Sequence, residues 1–525
     1  MGWGEVVVSE CDVLVVGGRV LDPETGLDGI RSVAVTDGRI TAVLDANDPV
    51  PRANRTIDAT GRVVAPGFVD LHSHAQTVTG HRLQALDGVT TALDLEGGAL
   101  PVAQTYALAE QEGRPLNFGF SAAWTSARMQ VLDGVVPVAH PSGALTTFAA
   151  HQAGARWRGP ATPTEVGGIL ALLEQGVAEG AVGIGVLVGY APDSERREYF
   201  ELSRLAERLG VPTFTHARYL SNREPHGSLE GALEVISAAA GTGAHMHLCH
   251  VNSTSNRMIE QVAHAIDRAR GVGVRVSTEA YPYGAGSTVV GAAFLAPEAL
   301  EQAGLRPDSL TYLPTNERVR DAAHLRELRE TDPGALVVVH FLDETDAGDL
   351  ALLERSLLLD DVAIATDAMP TVDAAGRPAD DRWPLPPGLV SHPRSAGTFS
   401  RTLRWLVRER GALSLLEAVR RCTLVPAQVL EAAVPAMRHK GRVQVGCDAD
   451  LVVLDPDRIG DRATYTHLAP SVGVRHLLVG GTAVVRDGEL MTDALPGRPV
   501  RSAPRDAASP PSPPSPLSPL RPPVR

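Results

Sequence analysis

The chain has 525 residues, 44% of them hydrophobic but only 4% aromatic, enough for a large buried core of the kind an α/β barrel with a smaller companion domain requires. A formal net charge of −14 excludes a nucleic-acid surface, which needs clustered positive charge. Residues 1–10 carry no basic segment and no long apolar run, and no stretch of about 18 uninterrupted apolar residues occurs, so neither a secretion signal nor a membrane span is expected.

Four scattered cysteines, Cys11, Cys249, Cys422 and Cys447, form no Cys-x-x-Cys pair and fit buried, reduced thiols in a cytoplasm. Lysine occurs once, at Lys440, so an anionic substrate would have to be met by arginine.

Residues 11–64 read as short strands separated by turns, with Asp37-Gly38 between two apolar runs as a hairpin signal. From Gly67 onward, apolar strand-like runs alternate with helical stretches, the pattern of βα units around a parallel sheet. The expected strands are 67–71, 89–95, 116–122, 181–188, 211–215, 244–249, 274–278 and 362–366, and eight is the number that closes a barrel. A ninth run, 335–340, is assigned to an excursion between the last two. Residues 164–179 and 194–209 carry apolar side chains at i, i+3 and i+4 and are expected to be helices. After Lys440 the strand texture returns.

The expected architecture is therefore a (β/α)8 TIM-like barrel over residues 66–435. A small β-sandwich is expected from both chain ends, 1–65 and 436–502, followed by a disordered Pro/Ser-rich tail at 503–525.

The barrel strands end on residues that bind metals. His72 and His74 close the first strand at i and i+2, so they point the same way. Glu96 closes the second, His216 the fifth, His250 the sixth and Asp367 the last. Active sites of such barrels lie at the C-terminal face, where strand ends converge. Any one of these residues alone has an ordinary structural explanation, but six at strand ends exceed what chance placement gives.

Four histidines with carboxylates suit zinc, as one or two ions. Such a cation lowers the pKa of its water towards about 7 and polarises a carbonyl. Asp367 is placed to take the water's proton and return it to a leaving nitrogen, which describes amide hydrolysis. Glu96, on the neighbouring strand, is placed to bridge two ions, one held by His72 and His74 and one by His216 and His250. Many barrels of this kind bridge with a carboxylated lysine, and the only lysine here lies outside the barrel.

With these residues assembled, the chain resembles the amidohydrolase superfamily over nearly its full ordered length. Within it, the chain looks most like the N-acyl-D-amino-acid deacylases, through Gly88-Val-Thr-Thr91, His216-Ala-Arg218, Glu279-Ala-Tyr-Pro-Tyr283 and His392-Pro-Arg-Ser-Ala-Gly-Thr398. The N-acyl-D-glutamate deacylase-like branch is the nearest in texture. That resemblance implies His72, His74, His216 and His250 as metal ligands and Asp367 as the catalytic aspartate.

It also implies a small N-acyl amino acid as substrate; D stereochemistry enters only here. Relatives carry cysteine where this chain has Glu96, and lysine where it has Asn252. For the substrate carboxylate, Arg218 and Arg394 are the candidate forks, with the hydroxyls of Tyr283 and Ser287 as donors. Arg218 could equally form a structural ion pair, and Tyr281, on the alternate face, is expected to pack.

A second enzymatic reading is cyclic-amide hydrolysis or deamination on the same scaffold, but Ala217-Arg-Tyr-Leu220 supplies no acid to protonate a ring. A non-catalytic scaffold relative is the third; the retained ligand set speaks against it.

Overall fold

The computed structural model describes residues 10–152, 154, 156–373 and 375–503; nearly all of the expected tail lies outside them. Eight parallel strands, each pairing with the next, form the barrel wall. They are β1 (Phe68–Asp70), β2 (Val89–Ala99), β3 (Asn117–Ala123), β4 (Ile184–Val186), β5 (Thr213–Thr215), β6 (Met246–Leu248), β7 (Val276–Ala280) and β8 (Val362–Ile364).

Most are short, and because the barrel wall is buried on both faces their apolar runs continue past the hydrogen-bonded segment. The helices at Pro163–Ala178 and Arg196–Leu209 match the expected ones closely. Helix Pro163–Ala178 begins with a capping box in which Thr162 and Glu165 satisfy each other's backbone N–H.

Between β8 and β1 the ordinary ladder gives way to side-chain hydrogen bonds. Asp70 accepts the Thr366 N–H at 3.0 Å and also its hydroxyl. A single parallel bridge joins Ser73 to Ala368, with the His74 N–H 2.8 Å from the Ala368 carbonyl. The seam thus sets β1, and the histidines beyond it, against the strand that ends at Asp367.

Both chain ends build the smaller domain, a nine-stranded sheet in which Val63–Pro66 sits between Glu10–Asp22 and Leu451–Leu454. It curls over an apolar cluster that includes Val15, Val33, Ile40, Leu451 and Leu478. The Asp37-Gly38 turn takes positive φ at both residues, +50° and +73°, as a type I′ hairpin requires.

The ninth apolar run is the strand Leu336–His340, in the excursion between β7 and β8 as expected. There it pairs antiparallel with Ala285–Val289, and that small sheet forms part of the wall above the barrel mouth.

Candidate metal centre

The six residues meet in one buried cluster, although Glu96 lies within β2, which runs on to Ala99, rather than at its end; His74, the most accessible of them, is 8% exposed. His72 Nε2 and His74 Nε2 lie 3.1 Å apart. Glu96 stands between the two halves: Oε2 is 3.3 and 3.7 Å from the Nε2 atoms of His72 and His74. Its other oxygen, Oε1, is 2.8 Å from His250 Nε2 and 3.1 Å from His216 Nδ1. Asp367 Oδ1 completes the first half at 3.5 and 3.6 Å from His72 and His74.

Such a set, with four buried imidazoles facing acceptor-only oxygens, suits divalent cations. His216 Nε2 is buried without a partner, which leaves that ring with lone-pair capacity to spend.

The field in the cluster is strongly polarised. Burial opposes charge on His72, yet the carboxylates of Asp367, Glu96 and Glu279 raise its pKa well above the ordinary value. His74 is likewise opposed by burial but is raised to about 9, chiefly by Asp94. Burial pushes Glu96 up, and the surrounding imidazoles win, holding it well below the usual carboxylate range. His216 is lowered by burial. These directions describe a pocket whose carboxylates create a negative field that attracts positive charge, for which a proton on an imidazole and a metal cation compete.

Two of the six adopt backbone conformations rare for residues with a Cβ. His250 has φ +30° and Asp367 +49°, strain of a kind that clusters at functional sites. His250 is the residue just before helix Val251–Ser255, and its Nδ1 is 3.0 Å from the Ser253 hydroxyl.

Outside the six, carboxylates hold the imidazoles from behind. Glu279 Oε1 lies 2.5 Å from His72 Nδ1, and its Oε2 is 3.1 Å from His247 Nε2. Asp94 Oδ1 is 3.1 Å from His74 Nδ1 and also accepts the backbone N–H groups of Gly97 and Gly98. Asp70 accepts the His72 N–H at 3.2 Å; burial lifts its pKa to about 7. A carboxylate on the far nitrogen fixes the tautomer and orientation of an imidazole ligand.

Sequence reasoning missed all three. Asp94 had a signal, since it precedes Glu96 by two on a strand and so shares its face. Glu279 was hidden because the expected strand ended at Thr278, whereas β7 runs to Ala280.

The residues expected to meet the substrate carboxylate separate into two groups. Arg394 is fully buried; Nη2 is 2.9 Å from Asp367 Oδ2, while Nε and Nη1 have no partner. Ser287 lines the cavity and its hydroxyl is also unpartnered.

Arg218 borders the cavity, but its fork is closed: Nε and Nη2 each lie 2.8 Å from a Glu234 oxygen, and Nη1 reaches the Ser194 and Pro192 carbonyls. It is the structural ion pair that the sequence left open.

The two tyrosines exchange places. Tyr281 lines the cavity, whereas Tyr283 is buried behind it against His392 and Arg401. Strand alternation ends at Ala280, and the turn through Pro282, in which the Tyr283 N–H bonds the Tyr281 carbonyl, reverses the faces. Asn252 holds that turn, donating to the Tyr281 and Tyr283 carbonyls at 3.1 and 3.3 Å.

Fold and site together describe a barrel with a candidate metal centre at its mouth, and the chain belongs to the amidohydrolase family, whose model matches residues 55–485. It is 28% identical over 501 residues to N-acyl-D-glutamate deacylase of Alcaligenes xylosoxydans xylosoxydans, covering 90% of this chain and 93% of that one. It is also 28% identical over 521 residues to N-acyl-D-aspartate deacylase of the same organism, with coverages of 95% and 96%.

Among solved structures it is similar in fold to N-acyl-D-glutamate deacylase from Bordetella bronchiseptica complexed with zinc and a phosphonate mimic of the tetrahedral intermediate. The TM-score is 0.73 at 22% identity, covering 94% of this chain and all of that one.

Proposed function

We propose that this protein hydrolyses the linear amide of N-acyl-D-amino acids, with zinc as its metal. The observation that carries the reading is the division of Glu96, one oxygen toward each imidazole pair, with Asp367 beside the first pair. His72 and His74 would hold one ion, His216 and His250 a second, and Glu96 would bridge them. When bound, zinc supplies Lewis acidity for the amide carbonyl and acidifies water to a pKa of about 7.

The residues do the rest. Asp367 accepts a proton on Oδ1 and delivers it to the amide nitrogen as that bond breaks. Arg394 grips Oδ2, so the carboxylate presents its other oxygen to the reacting groups. The open Nε and Nη1 of Arg394, with the hydroxyls of Ser287 and Tyr281, suit the substrate's own carboxylate. The deacylase names of the relatives that match along nearly the whole chain support both the linear amide and the D configuration.

Four free, buried thiols support a cytoplasmic location. Among the described residues no helix is long and apolar enough to cross a membrane.

A panel of N-acetyl D- and L-amino acids tests the reading. Free D-amino acid should be released from several D members and from none of the L members at comparable rate. Hydrolysis of the L series alone would refute it, and ammonia release from a heterocycle would favour the deaminase alternative.

A further inference from the structure

Beyond the metal cluster the cavity, about 350 Å³ in volume, is walled mostly by carbon, with Thr125, Asn256 and Ser287 among the polar side chains that interrupt it. Aromatic rings lead outward from a metal-facing imidazole. Phe294 faces the His216 ring at 5.9 Å with the planes 18° apart. Tyr190 packs on His216 at 4.8 Å and on both Phe294 and Phe148 at 5.0 Å. Leu295 and Leu300 continue the same wall.

The charges bordering this space can be counted. Arg218 is neutralised by Glu234 and its donors are taken. His226 sits at the rim with its side chain 62% exposed, 3.6 Å from Glu230. Arg394 keeps two guanidinium nitrogens, Nε and Nη1, without a hydrogen-bond partner, but it is fully buried behind the cavity wall. Gly286 lies between it and the cavity: a Cβ there would stand 3.5 Å from Arg394 Nη1 and 3.1 Å from the Tyr281 hydroxyl. Any larger residue would cover the guanidinium. One open fork accounts for one carboxylate, the one every N-acyl amino acid carries.

We propose that the site selects substrates with a bulky apolar side chain and rejects those with an acidic one. The proposal rests on the deacylase reading and adds the side chain to it. A second carboxylate in this space would be stripped of water against Phe294, Leu295 and Leu300 with no free cation to meet it, a cost that neutral hydroxyls such as Thr125 offset only in part. A leucine or phenylalanine side chain would instead bury its surface against the same wall. The selectivity thus departs from that in the names of the acidic-substrate relatives.

Steady-state kinetics on the zinc-loaded full chain test this. N-Acetyl-D-leucine and N-acetyl-D-phenylalanine should exceed N-acetyl-D-glutamate and N-acetyl-D-aspartate in kcat/KM by about 100-fold or more. In Phe294→Ala, the ratio of kcat/KM for N-acetyl-D-leucine over N-acetyl-D-alanine should fall by about tenfold. An acidic substrate turned over as well as leucine would overturn the selectivity while leaving the deacylase reading standing. An unchanged leucine-to-alanine ratio in Phe294→Ala would overturn it too. Inactivity on every member of the panel would remove the deacylase reading and the selectivity with it.

Discussion

Asp367 and Glu279 are both carboxylates close to His72 Nε2 or Nδ1, and their different surroundings predict different phenotypes. Asp367 is gripped by Arg394 on one oxygen and faces the reacting space with the other. Its replacement by Asn should lower kcat by about 10²–10⁴ while metal per chain, measured by elemental analysis, stays unchanged. Glu279 stands behind the cluster, with one oxygen on His72 and the other on His247. Glu279→Gln should weaken zinc affinity by about 10–100-fold, read by competition with a chelator; an unaltered affinity would show that His72 is held without it.

The six converging residues were legible because each closes an apolar run, a pattern that needs no tertiary knowledge. The supporting carboxylates were not, because which groups stand behind a histidine depends on how neighbouring strands are staggered.

Elements were read well where a period ran long and poorly where it broke. Helix Arg196–Leu209 shows its apolar stripe over several turns. The two tyrosines were assigned by carrying strand alternation three residues past Ala280, where no strand remains.

One pairing of elements carries a pH signature. Asp87, just after helix Val78–Leu86, accepts the N–H groups of Phe399 and Ser400 in helix Arg394–Thr402 at 2.8 and 3.0 Å, and the Ser471 hydroxyl at 2.9 Å. Burial lifts its pKa to about 6 despite those hydrogen bonds. Because the folded value lies above the unfolded one of 3.8, the native state holds the proton more tightly. Its contribution is complete below about pH 4 and lost as pH rises through about 6, a swing of order 3 kcal/mol. Urea unfolding at pH 4, 5, 6 and 7 should show that decline in the parent chain, where buried Asp70 adds to it, and Asp87→Asn should make it shallower.

At the scale of the whole molecule, the chain's only lysine joins the two domains. Lys440 is buried, with Nζ 2.6 Å from Asp450 and 3.0 Å from Asp448. Asp450 also accepts from the Asn117 side chain on β3 and from the Gly480 N–H of the smaller sheet. Breaking a buried pair of this kind costs about 3–5 kcal/mol, so Lys440→Met should lower the urea midpoint substantially with no change in metal content.

The two-domain plan itself was legible because strand texture returns after Lys440, although the curling of all nine strands into one sheet is a property of pairing that no single segment carries. The central claim, that the strand-end cluster is a zinc site driving deacylation, is met most directly by titrating zinc into chelator-stripped protein while following D-leucine release from N-acetyl-D-leucine. Activity should be absent without metal and return in step with zinc bound. Full turnover by protein shown to be free of divalent metal would contradict it.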